Sequence, residues 1–452
     1  MAFHSEPVVS HSLSDHQPRS IADNIGQFDV ARIARCIAFI TGILVVWISL
    51  RPFPDLGNPS FNDLSDGKLA STYIVLAVLA AAALALVIPK NTTALRFLMT
   101  PPFVMLCCWM CINTVFSQDV AISVQRLVLT GCVVTLAACL LLLPNSQTEL
   151  DRWLAASIVI LLATCYLGLL LAPSLSIHAS TDLGEPQLAG DWRGAFGHKN
   201  VAAPVMAMIV FVGFYLTSRG ATIVGPLIAI LAAIFLIGTG GKSSTALCLA
   251  TLVLSVPVYW IANPWVRASL CYLPVFVLNL FSVGSVFSEN IAAMAKLLPL
   301  DTTFTGRTEI WEFAIQALHM RPLLGYGFAA FWGQSSIAHL VTDDQIAWAA
   351  DASHSHNGYL DSALTMGYPG LALIMIVLVF APLKNFSVAV RSGNDGPLAM
   401  LFLRIWLFGI CLSSMESFLL DRADPTWFTF LIAIFGLHYI SRFRLAPETP
   451  IP

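Results

Sequence analysis

The stretch Asp351-Ala-Ser-His-Ser-His-Asn-Gly-Tyr-Leu-Asp361 places two histidines, an asparagine and two carboxylates where a polar loop re-enters a hydrophobic helix, Tyr359 to Leu383. An imidazole, with an ordinary pKa of ~6.5, is the side chain best matched to moving a proton at neutral pH. Three other segments carry basic groups: Asp191-Trp-Arg-Gly-Ala-Phe-Gly-His-Lys-Asn200, Gly238-Thr-Gly-Gly-Lys-Ser-Ser244 and Thr305-Gly-Arg-Thr308. Taken singly, Arg193, Lys199, Lys242 and Arg307 read as solvated loop charges, snorkelling anchors or headgroup contacts, and the histidine stretch as the place where a helix leaves lipid. Taken together, they point to one anionic substrate at the water boundary.

Fixed cations at a membrane surface suit a lipid-linked phosphate or diphosphate. Arginine offers phosphate a planar fork, and each charge-assisted hydrogen bond is worth roughly 1.5–3 kcal/mol. In glycosyl transfer from a lipid diphosphate, such cations would stabilise charge growing on the leaving group, and an imidazole would take the proton of the attacking hydroxyl. The Gly241-Lys-Ser243 run is not a phosphate-binding P-loop, because the first glycine of that motif would fall on Leu236 and no strand precedes it. Cys107, Cys108 and Cys111 have no histidine or carboxylate nearby and read as small apolar packing residues, not metal ligands. No metal and no cofactor is expected.

The elements that must hold these residues are membrane helices. Of the 452 residues, 57% are hydrophobic and 11% charged, and the mean hydropathy is +0.78, outside the range of soluble chains. The net charge of −3 argues for neither nucleic acid nor an acidic partner. Apolar windows of about 20 residues predict twelve spans, at 33–50, 70–88, 97–116, 122–143, 153–172, 201–217, 221–238, 244–262, 268–286, 357–383, 399–420 and 425–441. With a cytoplasmic N-terminus, the inner segments, tails included, hold twelve Lys and Arg and the outer segments nine. Five of those nine (Arg193, Lys199, Lys296, Arg307 and Arg321) sit in two long loops where the positive-inside rule has little force. The four basic or histidine-bearing segments then share the outer face.

The organisation expected is a disordered cytoplasmic tail over 1–31, a bundle of nine helices over 32–286, an extracytoplasmic loop over 287–356, helices ten to twelve over 357–441, and a cytoplasmic tail over 442–452. Within the large loop, Ile310, Trp311, Phe313, Ala314, Ala317 and Leu318 recur at helical spacing, with Glu309 and Glu312 at the start and Arg321-Pro322 at the end. An amphipathic helix lying on the membrane or packed over the bundle is predicted there.

Gly306-Arg-Thr-Glu-Ile-Trp311, Pro322-Leu-Leu-Gly-Tyr-Gly327, His356-Asn-Gly-Tyr-Leu360 and Gly367-Tyr-Pro-Gly370 stand in an order and spacing that resemble the O-antigen ligase and polysaccharide polymerase superfamily. The resemblance covers roughly 190–420 and takes in Arg193 to Asn200, Gly241-Lys-Ser-Ser244 and Ser414-Met-Glu-Ser417. It implies an all-α integral membrane protein of GT-C-like build: a metal-independent, inverting glycosyltransferase of the bacterial inner membrane, with its active site in the periplasm. The donor implied is an undecaprenyl-diphosphate-linked saccharide. The family's loop histidine maps to His356 as base, its diphosphate arginines to Arg193 and Arg307, and an acidic position to Glu416. Lys242 stands where many members carry arginine, which keeps the charge but loses the fork. His198, His354, Lys199 and Asn357 complete the expected substrate-binding set.

The acceptor separates the readings. A polymerase hands the glycan to another lipid-linked repeat, a ligase to lipid A core. The Phe-Gly-His-Lys-Asn run favours an exopolysaccharide polymerase, with a flippase and a chain-length regulator as expected partners. A secondary transporter of an anionic substrate is the alternative from another class. It would spread His356, Arg307 and Arg193 through the bilayer, whereas transfer requires them to converge beneath the large loop.

Overall fold

In a computed structural model, residues 21–57, 65–182, 185–297, 307–333, 349 and 352–443 are described. Most of the expected terminal tails, together with Asp351, Thr305 and Gly306, lies outside the described residues. The regular structure among them is helical, apart from an isolated antiparallel bridge between Ile177 and Trp192.

In chain order the helices are α1 (Ile21–Ile48), α2 (Ser65–Leu98), α3 (Pro101–Val115), α4 (Val120–Leu140), α5 (Gln147–Leu171), α6 (Lys199–Ser218), α7 (Val224–Gly238), α8 (Lys242–Trp260), α9 (Pro264–Phe281) and α10 (Glu289–Leu297). There follow α11 (Arg307–Met320), α12 (Gly358–Ile374), α13 (Ala381–Arg391), joined to α12 by the π-helical turn Met375–Phe380, α14 (Gly396–Leu412) and α15 (Pro425–Ile440). Their starts follow local chemistry. Asp119, Ser146, Asn263 and Asp424 cap α4, α5, α9 and α15 by accepting backbone N–H groups, and proline opens α3, α9 and α15.

Each predicted span coincides with an apolar helix, but the helices are of two kinds. Among the described residues, 8 are long and apolar enough to cross a membrane, with α12 and α13 counted as one run over Gly358–Arg391. The other four, α3, α7, α14 and α15, have 15, 15, 17 and 16 residues. The chain is a multi-pass membrane protein. Its α1 starts at Ile21, before the expected 33, because helical backbone runs on into the polar approach.

At the centre stands α6, 78% of whose apolar window is buried against 17% for α9. It is apolar on every side, as a helix surrounded by others must be. It packs on α7, α14, α8 and α15. Cys107, Cys108 and Cys111 lie exposed on the outer face of α3.

The amphipathic helix α11 is packed over the bundle. Trp311, Phe313, Ala314, Ala317 and Leu318 form a separate small core with Tyr326, Phe331, Ala363 and Leu364 of the following turn and of α12. What docks that turn is a break in α12 at Gly367, where φ is +69°. The break leaves carbonyls free, so that Tyr326 and Gly327 donate to Leu364 and Thr365 at 2.9 and 3.1 Å, and Tyr368 N–H donates to the Pro322 carbonyl at 2.8 Å. A Cβ at Gly367 would stand 2.0 Å from the Leu323 carbonyl oxygen, so only glycine allows this approach.

Candidate functional site

The histidine loop is held in place by hydrogen bonds from α11, α12 and the segments packed on them. Trp311 of α11 donates to the Ser355 carbonyl at 2.8 Å, and Ser355 N–H reaches both oxygens of Asp361 at 3.2 Å. Trp332 donates to the same carboxylate at 2.8 Å. Asn357 caps α12 by accepting the N–H groups of Tyr359 and Leu360, while its amide donates to Asn279 of α9 and to the Ser414 carbonyl. That uses all four of its hydrogen-bonding sites, and the residue is 1% exposed. Asn357 was expected to bind substrate; it is instead a buried cap with nothing left to offer a ligand.

Thus braced, His356 sits with φ at +55°, a conformation that non-glycine residues rarely hold and that costs on the order of 1–3 kcal/mol. Its Nδ1 lies 3.3 Å from Glu416 Oε2, and Arg307 Nη2 lies 3.5 Å from Glu416 Oε1. Arg307 also donates to the Met415 carbonyl at 3.1 Å. The side chains of His356, Arg307 and Glu416 are 25%, 25% and 19% exposed, so a substrate can reach them. Burial alone would raise the Glu416 carboxyl, but the His356 hydrogen bond and the charges of His356 and Arg307 outweigh it and hold the group below the usual range.

The three expected histidines have different partners. In His198, Nδ1 accepts the Asn200 N–H at 3.0 Å and so caps α6, while Nε2 meets Glu185 at 2.6 Å; both nitrogens are engaged. The hydrogen bond from His198 holds Glu185 below its ordinary value. In His354, Nδ1 accepts the His356 backbone N–H at 3.3 Å, which assigns the proton of the neutral ring to Nε2. Burial, then the neighbouring His356 ring 4.1 Å away, pushes His354 below the ordinary imidazole value. Only His356 combines a carboxylate at Nδ1 with an Nε2 that has no protein hydrogen bond among the described residues. With the proton on Nδ1 directed at Glu416, Nε2 carries the lone pair of a base.

The facing wall comes from the loop between α5 and α6. Lys199 pairs with Asp191 at 2.5 Å. Trp192 N–H donates to the Gly238 carbonyl, and Gly240 approaches Asp191 so closely that a Cβ would lie 2.4 Å from its carboxylate. The turn that begins α8 at the exposed Lys242 is thereby docked on the segment that carries Lys199 and His198. Arg193 departs from expectation. It is 0% exposed, its guanidinium donates to the carbonyls of Pro54 and Phe196, and burial lowers its pKa. It braces the loop from behind and does not line the cavity described next.

Between these walls opens a cavity of about 390 Å³, within the ~300–1,000 Å³ of pockets that enclose ligands. His198 and Glu185 line one side of it, and His354, His356, Glu416 and Ser417 the other. Sequence reasoning missed His178, a buried residue that accepts the Lys199 N–H at Nε2 and holds Asp182 at 2.8 Å through Nδ1. Its only signal was a second imidazole in the loop of His198. Ser417, at the end of the Ser414-Met-Glu-Ser417 motif, has a hydroxyl that is buried on the cavity wall without a protein partner among the described residues.

The fold and site define a multi-pass helical membrane protein with a polar cavity at one end of its bundle, an imidazole–carboxylate pair in the cavity wall and a guanidinium bonded to that carboxylate. The resemblance read from the sequence is borne out by the comparisons with known proteins. Residues 204–375, from α6 into the π-helical turn after α12, match the model of the O-antigen ligase family. The chain is similar to the exopolysaccharide production protein ExoQ of Rhizobium meliloti (strain 1021), at 27% identity over 122 residues, 27% of this chain and 28% of that protein. It is also similar to the ComP-specific O-oligosaccharyltransferase of Acinetobacter baylyi, at 30% identity over 112 residues, 25% of this chain and 19% of that protein. The chain thus spans less than a third of the length of either relative.

Proposed function

We propose that this protein is a membrane glycosyltransferase that extends an exopolysaccharide by moving a glycan from an undecaprenyl-diphosphate-linked donor to a hydroxyl of another lipid-linked repeat. The observation that carries the reading is the Glu416 bridge, which holds His356 Nδ1 at 3.3 Å and Arg307 at 3.5 Å beside the cavity. His356 Nε2 takes the proton of the acceptor hydroxyl as its oxygen bonds to the anomeric carbon. The bond from that carbon to the lipid diphosphate breaks with inversion, and the electron pair leaves with the diphosphate. Arg307, Lys199 and Lys242 supply positive charge for that leaving group, and the buried Arg193 keeps the loop of Lys199 in place. The reaction proceeds without a metal, and the site faces the periplasm. Gathering of the cluster at one end of the bundle speaks against transport, which needs groups distributed in depth.

Transfer to lipid A core is the second reading, favoured by the match to a family described as O-antigen ligase. Deleting the gene separates the two. Single lipid-linked repeats accumulate if a polymerase is lost, whereas intact lipid-linked polymer accumulates beside bare core if a ligase is lost. Complementation with His356→Ala should restore protein but not polymer, with turnover down by roughly 10²–10⁴. Normal glycan length in that strain would remove His356 from the chemistry.

A further inference from the structure

At the end of the bundle remote from His356, a second constellation has no part in the reaction above. The helices α5, α6, α14 and α15 each bring one terminus toward the His356 cavity, and their other termini meet around a cavity of about 290 Å³ lined by Gln147, Arg219, Asp395, Ile440 and Phe443. Two polar atoms of residues on this wall, Asp395 Oδ2 and Gln147 Nε2, are buried with no hydrogen-bond partner among the described residues, although the charge of Arg219 acts on Asp395. The other Asp395 oxygen is occupied, since Oδ1 caps α14 by accepting the Leu398 N–H at 3.1 Å. Arg219 holds Asp151 through Nε at 3.2 Å and is also under the charge of Asp395, while the other N–H groups of its fork have no hydrogen-bond partner among the described residues.

Beside it lies a chamber of about 440 Å³ that shares Ile440 and Phe443 and is lined by Leu142, Leu150, Phe402 and Tyr439, with Lys90 at its rim. It opens where α2 is broken: Pro89 lies within the helix, and Asn91 leaves helical geometry and donates to the Leu142 carbonyl at 3.0 Å. An apolar chamber joined to a polar niche that lacks both a donor and an acceptor matches a lipid whose headgroup is anionic and bears a hydroxyl. A hydroxyl donates and accepts at once, as Asp395 Oδ2 and Gln147 Nε2 together require, whereas a choline headgroup cannot donate.

We propose that this is a binding site for an anionic phospholipid with a hydroxylated headgroup, in the leaflet opposite the His356 cavity. The acyl chain fills the chamber, Arg219 and Lys90 face the phosphate, and Asp395 and Gln147 hold the headgroup hydroxyl. An annular lipid on the exposed flank would leave both polar atoms unpaired.

The test uses the full chain in nanodiscs of equal phosphatidylglycerol and phosphatidylcholine, with retained lipid read by native mass spectrometry. The wild-type protein should keep phosphatidylglycerol about tenfold over phosphatidylcholine, the worth of one charge-assisted hydrogen bond. Asp395→Asn, which preserves the helix cap, and Gln147→Leu should each bring the preference close to parity. Equal retention of the two lipids by wild type, retention of only water, or an unchanged preference in both variants would overturn the proposal. So would displacement of the lipid by soluble glycerol phosphate at equal concentration, which would make the site one for the headgroup alone.

Discussion

Three histidines of one residue type take three roles because their nitrogens meet different partners. His198 is consumed by a helix cap and Glu185, His354 gives Nδ1 to the backbone of its neighbour, and among the described residues only His356 pairs one nitrogen with a carboxylate beside the cavity while the other has no protein partner. Composition could nominate all three but could not rank them, since the ranking depends on which N–H or carboxylate lies within about 3 Å. Glu416 provides a test at this scale. Its carboxyl is held below the ordinary range in the fold, so its pairing adds stability that is complete above the unfolded value of ~4.3 and fades as pH falls through the lower folded one. Glu416→Gln should therefore lower the Tm at neutral pH, with the gap to wild type closing below about pH 4, and should slow turnover roughly 10–100-fold. A Tm gap of constant size down to acid pH would show that the charge of Glu416 does not carry the effect.

At the scale of elements, hydrophobic periodicity was enough to place twelve apolar helices and the amphipathic α11, because burial in lipid or against a neighbour imposes the pattern directly. It could not show that α11 packs on α12, nor that α12 breaks at Gly367 to receive the 322–327 turn. Those features depend on backbone groups of segments distant in sequence, and backbone groups leave no mark on hydropathy. Gly367→Ala tests the arrangement. A Cβ would press on the Leu323 carbonyl in a left-handed conformation, so the variant should lose roughly 1–3 kcal/mol of stability and, by displacing α11 and Arg307, should lower activity as well. Wild-type Tm and turnover would mean that the turn is docked by other contacts.

For the whole molecule, four segments widely separated in the chain come together: Asp191–Asn200, the turn before Lys242, the start of α11 and the His354–Asn357 loop. Their charges were expected to enter a single pocket, but the structure divides the labour, with Arg193 inside the scaffold and Arg307 at the Glu416 bridge. The proposed periplasmic orientation is tested by labelling at the two ends of the bundle. In a cysteine-free background, Ser353→Cys should react with a membrane-impermeant maleimide applied to intact cells from which the outer membrane has been stripped. Ser392→Cys, at the opposite end, should react only after permeabilisation. The reverse pattern would place the His356 cavity in the cytosol and end its assignment to a periplasmic transfer.

By itself, the sequence determined that the chain is a multi-pass helical membrane protein, where its apolar helices run, and that an ordered set of basic and histidine motifs resembles a glycan-transferring family. Each of these is written in local composition or short-range order. Only the tertiary structure decided that His356 alone pairs with a carboxylate while keeping a nitrogen for the cavity, that Asn357 and Arg193 are buried supports, and that Asp395 and Gln147 face a second cavity unpaired. Such roles depend on angstrom-scale distances between residues far apart in the chain, and neither residue type nor spacing along the sequence encodes those distances.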